Sequence, residues 1–428
     1  MSKPNRKEKN PSGGWWSNLS KRNQGCQKIV FWWLILLLPS QLGKHFWFDF
    51  SQVLGLRIDY LAPTLYLTDV LVIFLLLLWF WEKRLSVGAY CNTPLRVAVI
   101  FLFINCLFAA SQPVAFLKFF KISELFFLGL YVAEKKFTRR LLPAALSLAV
   151  VLTSLLAISQ FFCQSSLGGW LYWLGERHFD ISTPGIAKFD WQGRLLLRPY
   201  ATFSHPNSLA GFLLVALILV AAKLKFWRWP VVAVGVVAIG LSFSRATWLA
   251  GGLLLVFHLR RTSPLRNAGH ASGGIYAFFA STSFLQRADL VKAAWQMIKA
   301  KPFWGVGLGN FIVRLPDFWQ VAASTYWVQP VHNIFLLTAA ETGLAGLAIL
   351  LFFWGQTVRR VATSPSFMIL AALLIIFFTG LFDHYWLTLQ QNQLLLAVVF
   401  GLAWQAKTSK MKKYEGCGGT IFSRRSVG

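Results

Sequence analysis

The 428 residues are 56% hydrophobic and 13% charged, with a mean hydropathy of +0.55 and a formal net charge of +27. Globular domains carry about 25% charged residues, so this composition excludes an ordinary soluble protein and favours a chain with several membrane spans. The positive charge lies in short clusters between apolar runs, which is typical of loops beside anionic lipid headgroups and argues against a nucleic-acid partner.

The two ends of the chain differ from its apolar middle. Residues 1–27 are basic and polar, and the run that follows lacks a small-residue cleavage site, so we interpret it as a retained first span. Residues 406–428 are rich in Lys, Arg, Ser and Gly, a composition typical of disorder. We therefore predict a cytoplasmic basic tail at 1–27, a transmembrane domain at 28–405 and a cytoplasmic disordered tail at 406–428.

Apolar runs recur along the whole length and predict an all-α, polytopic membrane protein with about 12 transmembrane helices. Several runs are shorter than the roughly 20 residues that a crossing needs, so their ends are approximate. The predicted spans are 28–41, 64–81, 95–111, 113–133, 140–162, 205–222, 229–243, 246–259, 268–283, 332–357, 366–382 and 386–405.

The charge between these runs predicts the orientation. With the N-terminus in the cytoplasm, the short inside loops are dense in Lys and Arg and the longer outside loops are sparser, as the positive-inside rule requires. The large outer-face loops are then 163–204 and 284–331. The second loop begins with an amphipathic helix, 286–300, that either lies in the membrane interface or packs against the protein. Pro302 ends this helix, and the glycines of GVGLG at 305–309 allow a tight turn.

The stretch RPYATFSHPNSLAG, 198–211, predicts an anion site at the outer end of the sixth span. The proline after His205 breaks the chain, and Asn207 or Ser208 is expected to cap the helix that follows. The free N–H groups of a helix start, beside Arg198, suit a diphosphate or a carboxylate. The alternative is that Arg198 only marks the headgroup boundary.

Two more arginines lie on the predicted outer face. Arg245, in FSRATW, occupies the turn between two short spans, where it either serves function or snorkels to the interface. Arg287 stands at the start of the long outer loop.

His332 follows a proline and stands at the start of the tenth span, with Asn333 beside it. Glu341 comes nine residues later, about 13 Å further along a helix, so it is not a direct partner of His332. Asp383 and His384 add an acid and a second imidazole on the same side. A histidine at a membrane mouth is either structural or catalytic. Several cations with an imidazole suit a phosphate-containing donor and a proton-transfer step.

Metal and disulfide chemistry find no support in the sequence. The five cysteines are scattered without CxxC spacing, and no HExxH or comparable spacing of ligands occurs. We therefore predict no metal and no cofactor.

Five short motifs follow one another in the C-terminal half, and each alone is weak. In this order they resemble the O-antigen ligase and polymerase family of bacterial membrane glycosyltransferases. The motifs are RPYATFSHPNSLAG (198–211), SRATWLA (244–250), KPFWGVGLGNF (301–311), VHNIFLLTAAETG (331–343) and FDHYW (382–386).

The resemblance implies transfer of a glycan from an undecaprenyl-diphosphate carrier to an acceptor on the periplasmic face of the bacterial inner or plasma membrane, with no metal in the ligase branch. It implies that Arg198 and Arg287 hold the diphosphate, that His332 acts as general base on the acceptor hydroxyl or aligns it, and that Arg245 matches an SR pair. Further predicted substrate-binding residues are His205, Asn207, Asn333, Glu341, Asp383 and His384.

Three alternatives stay open. The motifs do not separate a ligase, whose acceptor is lipid A core or another surface glycan or protein, from a polysaccharide polymerase. A transporter or flippase for a polyprenyl-linked glycan is a candidate of another class, which inverted repeats and mid-membrane charges would favour.

Overall fold

The computed structural model describes residues 11–83, 93–221, 228–262, 282–319, 328–363 and 366–405. This part of the chain is mostly helical, with 70% helix, in agreement with the predicted all-α class. The helices are α1 (Pro11–Leu36), α2 (Leu67–Lys83), α3 (Thr93–Leu107), α4 (Gln112–Glu134), α5 (Thr138–Cys163), α6 (Pro206–Ala221), α7 (Arg228–Leu241), α8 (Arg245–Thr262), α9 (Thr282–Ala300), α10 (Phe311–Phe318), α11 (Ile334–Ala362), α12 (Phe367–Gly380), α13 (Tyr385–Thr388) and α14 (Gln390–Gln405).

Short strands form three two-stranded antiparallel sheets in the connections between helices. Two sheets lie between α1 and α2, and the third lies between α5 and α6, after a 3-10 helix at Gly169–Leu174. The strand pairs are β1 (Gly43–His45) with β4 (Thr64–Tyr66), β2 (Gln52–Val53) with β3 (Leu56–Arg57), and β5 (Lys188–Trp191) with β6 (Arg194–Leu197).

Most helix boundaries differ from the predicted spans by a few residues, and two differences are larger. α1 begins at Pro11, inside the predicted tail, because a helix continues through polar residues that an apolar run does not include. The last predicted span, 386–405, is divided into α13 and α14. The predicted span 268–283 lies outside the described residues except for its last two, which belong to α9.

Two described helices, α5 and α11, are long and apolar enough to cross a membrane by themselves. Shorter apolar helices occur at Leu95–Leu107, Pro206–Ala221, Trp229–Leu241, Arg245–Val256 and Phe367–Gly380.

The main core is built around α6 and α14. The α6 sequence PNSLAGFLLVALILVA is apolar on all sides, so the helix is buried on all sides. α14 packs along α4, and glycines permit the close approach: a Cβ on Gly401 would lie 2.6 Å from the carbonyl oxygen of Gly129.

A break in α11 holds the glycine-rich loop. Gly343 has φ 69° and ψ −177°, which interrupts the helix and frees carbonyl groups in the preceding turn. Val306 N donates to Ala340 O at 2.9 Å, and Gly307 N donates to Glu341 O at 2.8 Å. The glycines of GVGLG therefore allow close backbone contact with the broken helix as well as the predicted turn.

A second apolar cluster joins several connections between helices to α9, α10 and α11. It unites the connection before α2 with α9, α10, the residues before α11 and the first turns of α11. Its members include Ile58, Leu61, Leu290, Val331 and Leu337. The cluster thus fixes the position of three separate chain segments beside the start of α11.

Candidate active site

A buried hydrogen-bonded chain connects Arg198 to Asp383. Arg198 follows β6; its Nε donates to Ser242 O at 2.7 Å, and its Nη2 donates to Asn207 Oδ1 at 2.6 Å. Asn207 Nδ2 donates in turn to Asp383 Oδ2 at 3.0 Å. Burial lowers the pKa of Arg198 to about 10, so this arginine stays positively charged at neutral pH.

The predicted cap of α6 is wrong. The helix begins at Pro206, which places Asn207 inside the first turn with its side chain committed to the chain described above. The Nδ1 atom of His205 accepts the hydrogen bond from Asn207 N at 3.1 Å, and Ser208 Oγ donates to Asn392 Oδ1. A proline favours the first helical position because it has no N–H to satisfy, which moves the helix start one residue earlier.

Two histidines meet next to Asp383. Asp383 Oδ1 accepts the backbone N–H of His384 at 2.8 Å, and His384 Nδ1 lies 2.7 Å from Thr388 Oγ1. The rings of His332 and His384 are 5.0 Å apart between centroids and nearly perpendicular, at 64°. His332 Nδ1 is buried without a hydrogen-bond partner within the described chain. The tertiary structure therefore brings two predicted motifs, separated by 50 residues, to one point.

Burial makes the imidazoles neutral at physiological pH. It lowers the pKa of His332 and of His205 to about 3 and the pKa of His384 to about 4. Burial opposes the ionisation of Asp383, but attraction to Arg287 and to the protonated forms of the surrounding imidazoles outweighs it and lowers the pKa of this carboxyl. The site accordingly combines an anionic carboxylate with neutral imidazoles that can accept a proton.

Arg287 supplies a second cation. It lies on α9, is half-buried, and has no hydrogen bond or ion pair with another described residue. Its charge contributes to lowering the pKa of all three histidines and of Asp383. The apolar side of α9, with Leu290 and Met297, packs against the second apolar cluster. Of the two alternatives for this helix, the structure favours packing against the protein.

Arg245 lies at the margin of this group. It is the first residue of α8 and is exposed, and its charge contributes to the lowered pKa of Arg198. The preceding Ser244 has its Oγ 3.0 Å from Thr247 Oγ1 in the first turn of α8.

The structure commits Asn333 and Glu341 to local contacts. Asn333 caps α11 by accepting two backbone N–H groups at 2.9 Å, and its Nδ2 donates to Leu381 O at 3.1 Å. Glu341 is buried, and its Oε1 accepts from Phe311 N at 3.5 Å. Asn333 thus ties the start of α11 to the end of α12, and Glu341 supports the glycine-rich loop.

The spacing of His332, Asp383 and His384 also satisfies the distance criterion for a metal site, with one potential ligand atom from each within 4.8 Å of the others. Both Asp383 oxygens accept hydrogen bonds and His384 Nδ1 is engaged with Thr388, which are contacts that metal ligands also make. The positive charge of Arg287 acts on this carboxyl and favours an anionic ligand over a cation at this position.

A groove of about 2140 Å³ runs along the helices beside this site, although Arg198, Arg287, His332, Asp383 and His384 do not line it. Its walls come mainly from α2, α3, α4, α11 and α14 and are largely apolar. Its lining includes Tyr60, whose ring contacts His384, and Thr388, which is hydrogen-bonded to His384. Other lining residues are Gln41, Asp59, Arg177, Ser204 and Pro330.

Charged residues inside predicted spans line the same groove and were not among the predicted site residues. Lys121 Nζ lies 2.5 Å from Asp69 Oδ1 and 2.9 Å from Glu124 Oε2, and Lys118 Nζ donates to Leu387 O at 2.5 Å. The available signal was a charge inside an apolar run, which is costly unless it is paired. Tyr60, at the groove end, carried no signal of this kind.

The chain is similar to known proteins over part of its length. Residues 195–351 match the family model described as O-antigen ligase. This segment belongs to the O-antigen ligase family. The predicted resemblance is confirmed, and proteins of this family are membrane proteins. The segment includes eight of the predicted site residues, whereas Asp383 and His384 lie beyond it.

A relative of the O-antigen ligase segment is the general O-oligosaccharyltransferase of Acinetobacter baylyi, which is 39% identical over the aligned part. The match covers 37% of this chain and 35% of the relative, so the chain spans about a third of the length of the curated relative it matches. The family and this relative together support an enzyme of the glycosyltransferase type.

Proposed function

We propose that the protein is a polytopic glycosyltransferase of the bacterial inner or plasma membrane, with about 12 transmembrane helices and both termini in the cytoplasm. It transfers a glycan from an undecaprenyl-diphosphate carrier to a hydroxyl acceptor on the outer face. The family match, the apolar helices and the positive-inside pattern support this proposal.

Arg198 and Arg287 bind the diphosphate of the donor. Arg198 is held by Ser242 and Asn207, so its guanidinium is positioned before the substrate arrives. Arg287 has no protein partner within the described chain, and a phosphate can take that place. Negative charge develops on the diphosphate as the bond to the sugar breaks, and two guanidinium groups stabilise it.

His332 accepts the proton of the acceptor hydroxyl as the new glycosidic bond forms. The sugar carbon loses its bond to the carrier diphosphate and gains one to the acceptor oxygen, and the hydroxyl proton moves to the imidazole. The bound diphosphate and the Asp383 carboxylate favour the imidazolium that results. His384 and Asn207 keep Asp383 in place.

One observation carries the proposal: within the described chain, the His332 ring has a nitrogen without a hydrogen-bond partner and feels the charge of Arg287, which has no hydrogen bond or ion pair with a described residue. A second arginine, Arg198, is anchored to Asp383 through Asn207. The direct test is to incubate the purified protein with carrier-diphosphate glycan and candidate acceptors and to analyse the products. His332→Ala should abolish transfer, whereas His178→Ala, at an exposed position outside the segment 195–351, should not. Normal transfer by the His332→Ala protein would refute the assignment.

A second candidate, a transporter of polyprenyl-linked glycans, is favoured by the ion pairs of Lys121 with Asp69 and Glu124 along the groove. The two functions differ in product. A transporter moves intact carrier-linked glycan across a vesicle membrane, and the transferase releases free carrier diphosphate and a glycosylated acceptor.

A further inference from the structure

The end of the groove next to the histidines holds three side chains to which the proposed mechanism gives no role. They are Asp59, Tyr60 and Arg177, and all three line the same groove. They come from two connections, one before α2 and one after α5, and neither belongs to the segment 195–351 that matches the ligase family.

The imidazole of His384 lies between the Tyr60 ring and the candidate base, His332. Its ring lies 5.6 Å from the ring of His384 in a T-shaped contact, and His384 lies 5.0 Å from His332. Tyr60 is 39% exposed, so one part of the ring faces open space. The flanking Ile58 and Leu61 are buried in the cluster that also contains Val331, next to His332. The position of Tyr60 relative to the site is therefore set by packing.

The backbone beside Arg177 is held by the hydrogen bonds of the preceding residue. Glu176 is buried and accepts hydrogen bonds from Leu167 N, Gly168 N and Gln160 Nε2, at 2.7–2.8 Å. The guanidinium itself is exposed and has no hydrogen bond or ion pair with a described residue, and the same is true of the exposed Asp59 carboxylate. Both groups line the groove together with Tyr60, and their charges act on its hydroxyl.

This combination matches the chemistry of a sugar ring. A carboxylate accepts hydrogen bonds from hydroxyls, a guanidinium donates to their oxygens, and an aromatic ring covers an apolar face. We propose that Asp59, Tyr60 and Arg177 form a sugar-binding subsite that presents a carbohydrate to His332. This inference rests on the proposed transferase function and adds a ligand class and three residues to it.

The sugar can come from the donor glycan or from the acceptor. Tyr60 contacts His384, at the opposite end of the hydrogen-bonded chain from Arg198, one of the two arginines proposed to bind the diphosphate. The imidazole end is where the acceptor hydroxyl must lose its proton. The arrangement therefore favours a sugar of the acceptor.

The experiment measures KM for donor and acceptor separately, in purified protein with carrier-diphosphate glycan and a glycan acceptor from the host cell. Tyr60→Ala and Arg177→Gln should each raise one KM about 3- to 10-fold, the effect of losing a hydrogen bond or a ring contact, with kcat within about 2-fold. Tyr60→Phe should retain most of the ring contribution. Tyr172→Ala and Arg194→Gln serve as matched controls, because both residues are exposed in the connection after α5 and neither lines the groove.

The outcomes separate the hypotheses. A raised KM for the acceptor alone supports the subsite and identifies its sugar as the acceptor's, and a raised KM for the donor alone supports the subsite with a donor sugar. Unchanged KM values in active Tyr60→Ala and Arg177→Gln proteins overturn the subsite, as does an acceptor KM that rises equally for a sugar-free peptide acceptor. Lack of transfer by the unmodified protein would refute the proposed function instead.

Discussion

At the scale of single residues, the geometry of the candidate site depends on side chains that are hydrogen-bonded to two other site residues at once. Asn207 is the clearest case, since its amide accepts from Arg198 and donates to Asp383 with opposite ends. A carboxamide is needed because only it offers both a donor and an acceptor at this length. This pair of contacts supports the proposal that Asn207 orients Arg198 and Asp383.

Replacing Asn207 with Ala should lower kcat/KM at least 10-fold, because the change leaves the Arg198 guanidinium and the Asp383 carboxylate without a shared partner. Each unsatisfied buried group costs about 1–3 kcal/mol. The measurement is transfer by purified protein. Asn23→Ala, which removes a hydrogen bond to Leu78 O and one from Gln27 Nε2, is the control. Equal activity of the two variants would contradict the role of Asn207.

Stability should decrease as the pH falls from about 6.5 towards 4. The pKa values of His205, His332 and His384 are lowered in the folded state, so below 6.5 the unfolded chain binds protons that the folded chain does not. Each histidine then contributes a loss of up to about 1.4 kcal/mol per pH unit. Thermal unfolding in detergent at pH 7.5, 6.5 and 5.5 measures this, and His384→Gln should show a shallower decline.

At the scale of elements, the broken helix α11 decides where the site's neighbours lie. Its N-terminal part begins beside His332, and the break at Gly343 accepts the backbone of the glycine-rich loop. A helix break inside a membrane protein needs such internal partners, because lipid offers no hydrogen bonds.

Gly343→Ala should destabilise the protein by more than about 1 kcal/mol, because φ is +69° and the new Cβ would lie 2.0 Å from Phe303 O. Gly355, in the same helix, has nothing within 4 Å of an added Cβ, so Gly355→Ala should be neutral or slightly stabilising. Unfolding temperatures of the two proteins provide the comparison. Similar values would argue against the break as a structural requirement.

At the scale of the whole molecule, the orientation is a prediction from charge. Ser182 and Thr363 are exposed positions expected on opposite sides of the membrane. In spheroplasts of a strain with Cys163→Ser, a membrane-impermeant thiol reagent should label Ser182→Cys directly. It should label Thr363→Cys only after permeabilisation. Labelling of Thr363→Cys in intact spheroplasts would reverse the topology.

Much of the site was predictable because its chemistry is carried by residue types that are costly in an apolar chain. Arginines and histidines beside apolar runs stand out for that reason, and the order of the motifs led to the family. The predicted cap at Asn207 failed because local capping preference competes with a tertiary partner, and Arg198 and Asp383 together outweigh it.

Local composition was thus enough for the helical class, the apolar runs and the candidate cations and imidazoles, since each depends on the chain's immediate neighbours. The fold alone decided that the His332 ring contacts the His384 ring and that Asn207 links Arg198 to Asp383. It also decided that the Tyr60 ring contacts the His384 ring. Contacts between residues 50 to more than 300 positions apart depend on how helices pack, and packing depends on shape complementarity that no short window of sequence contains.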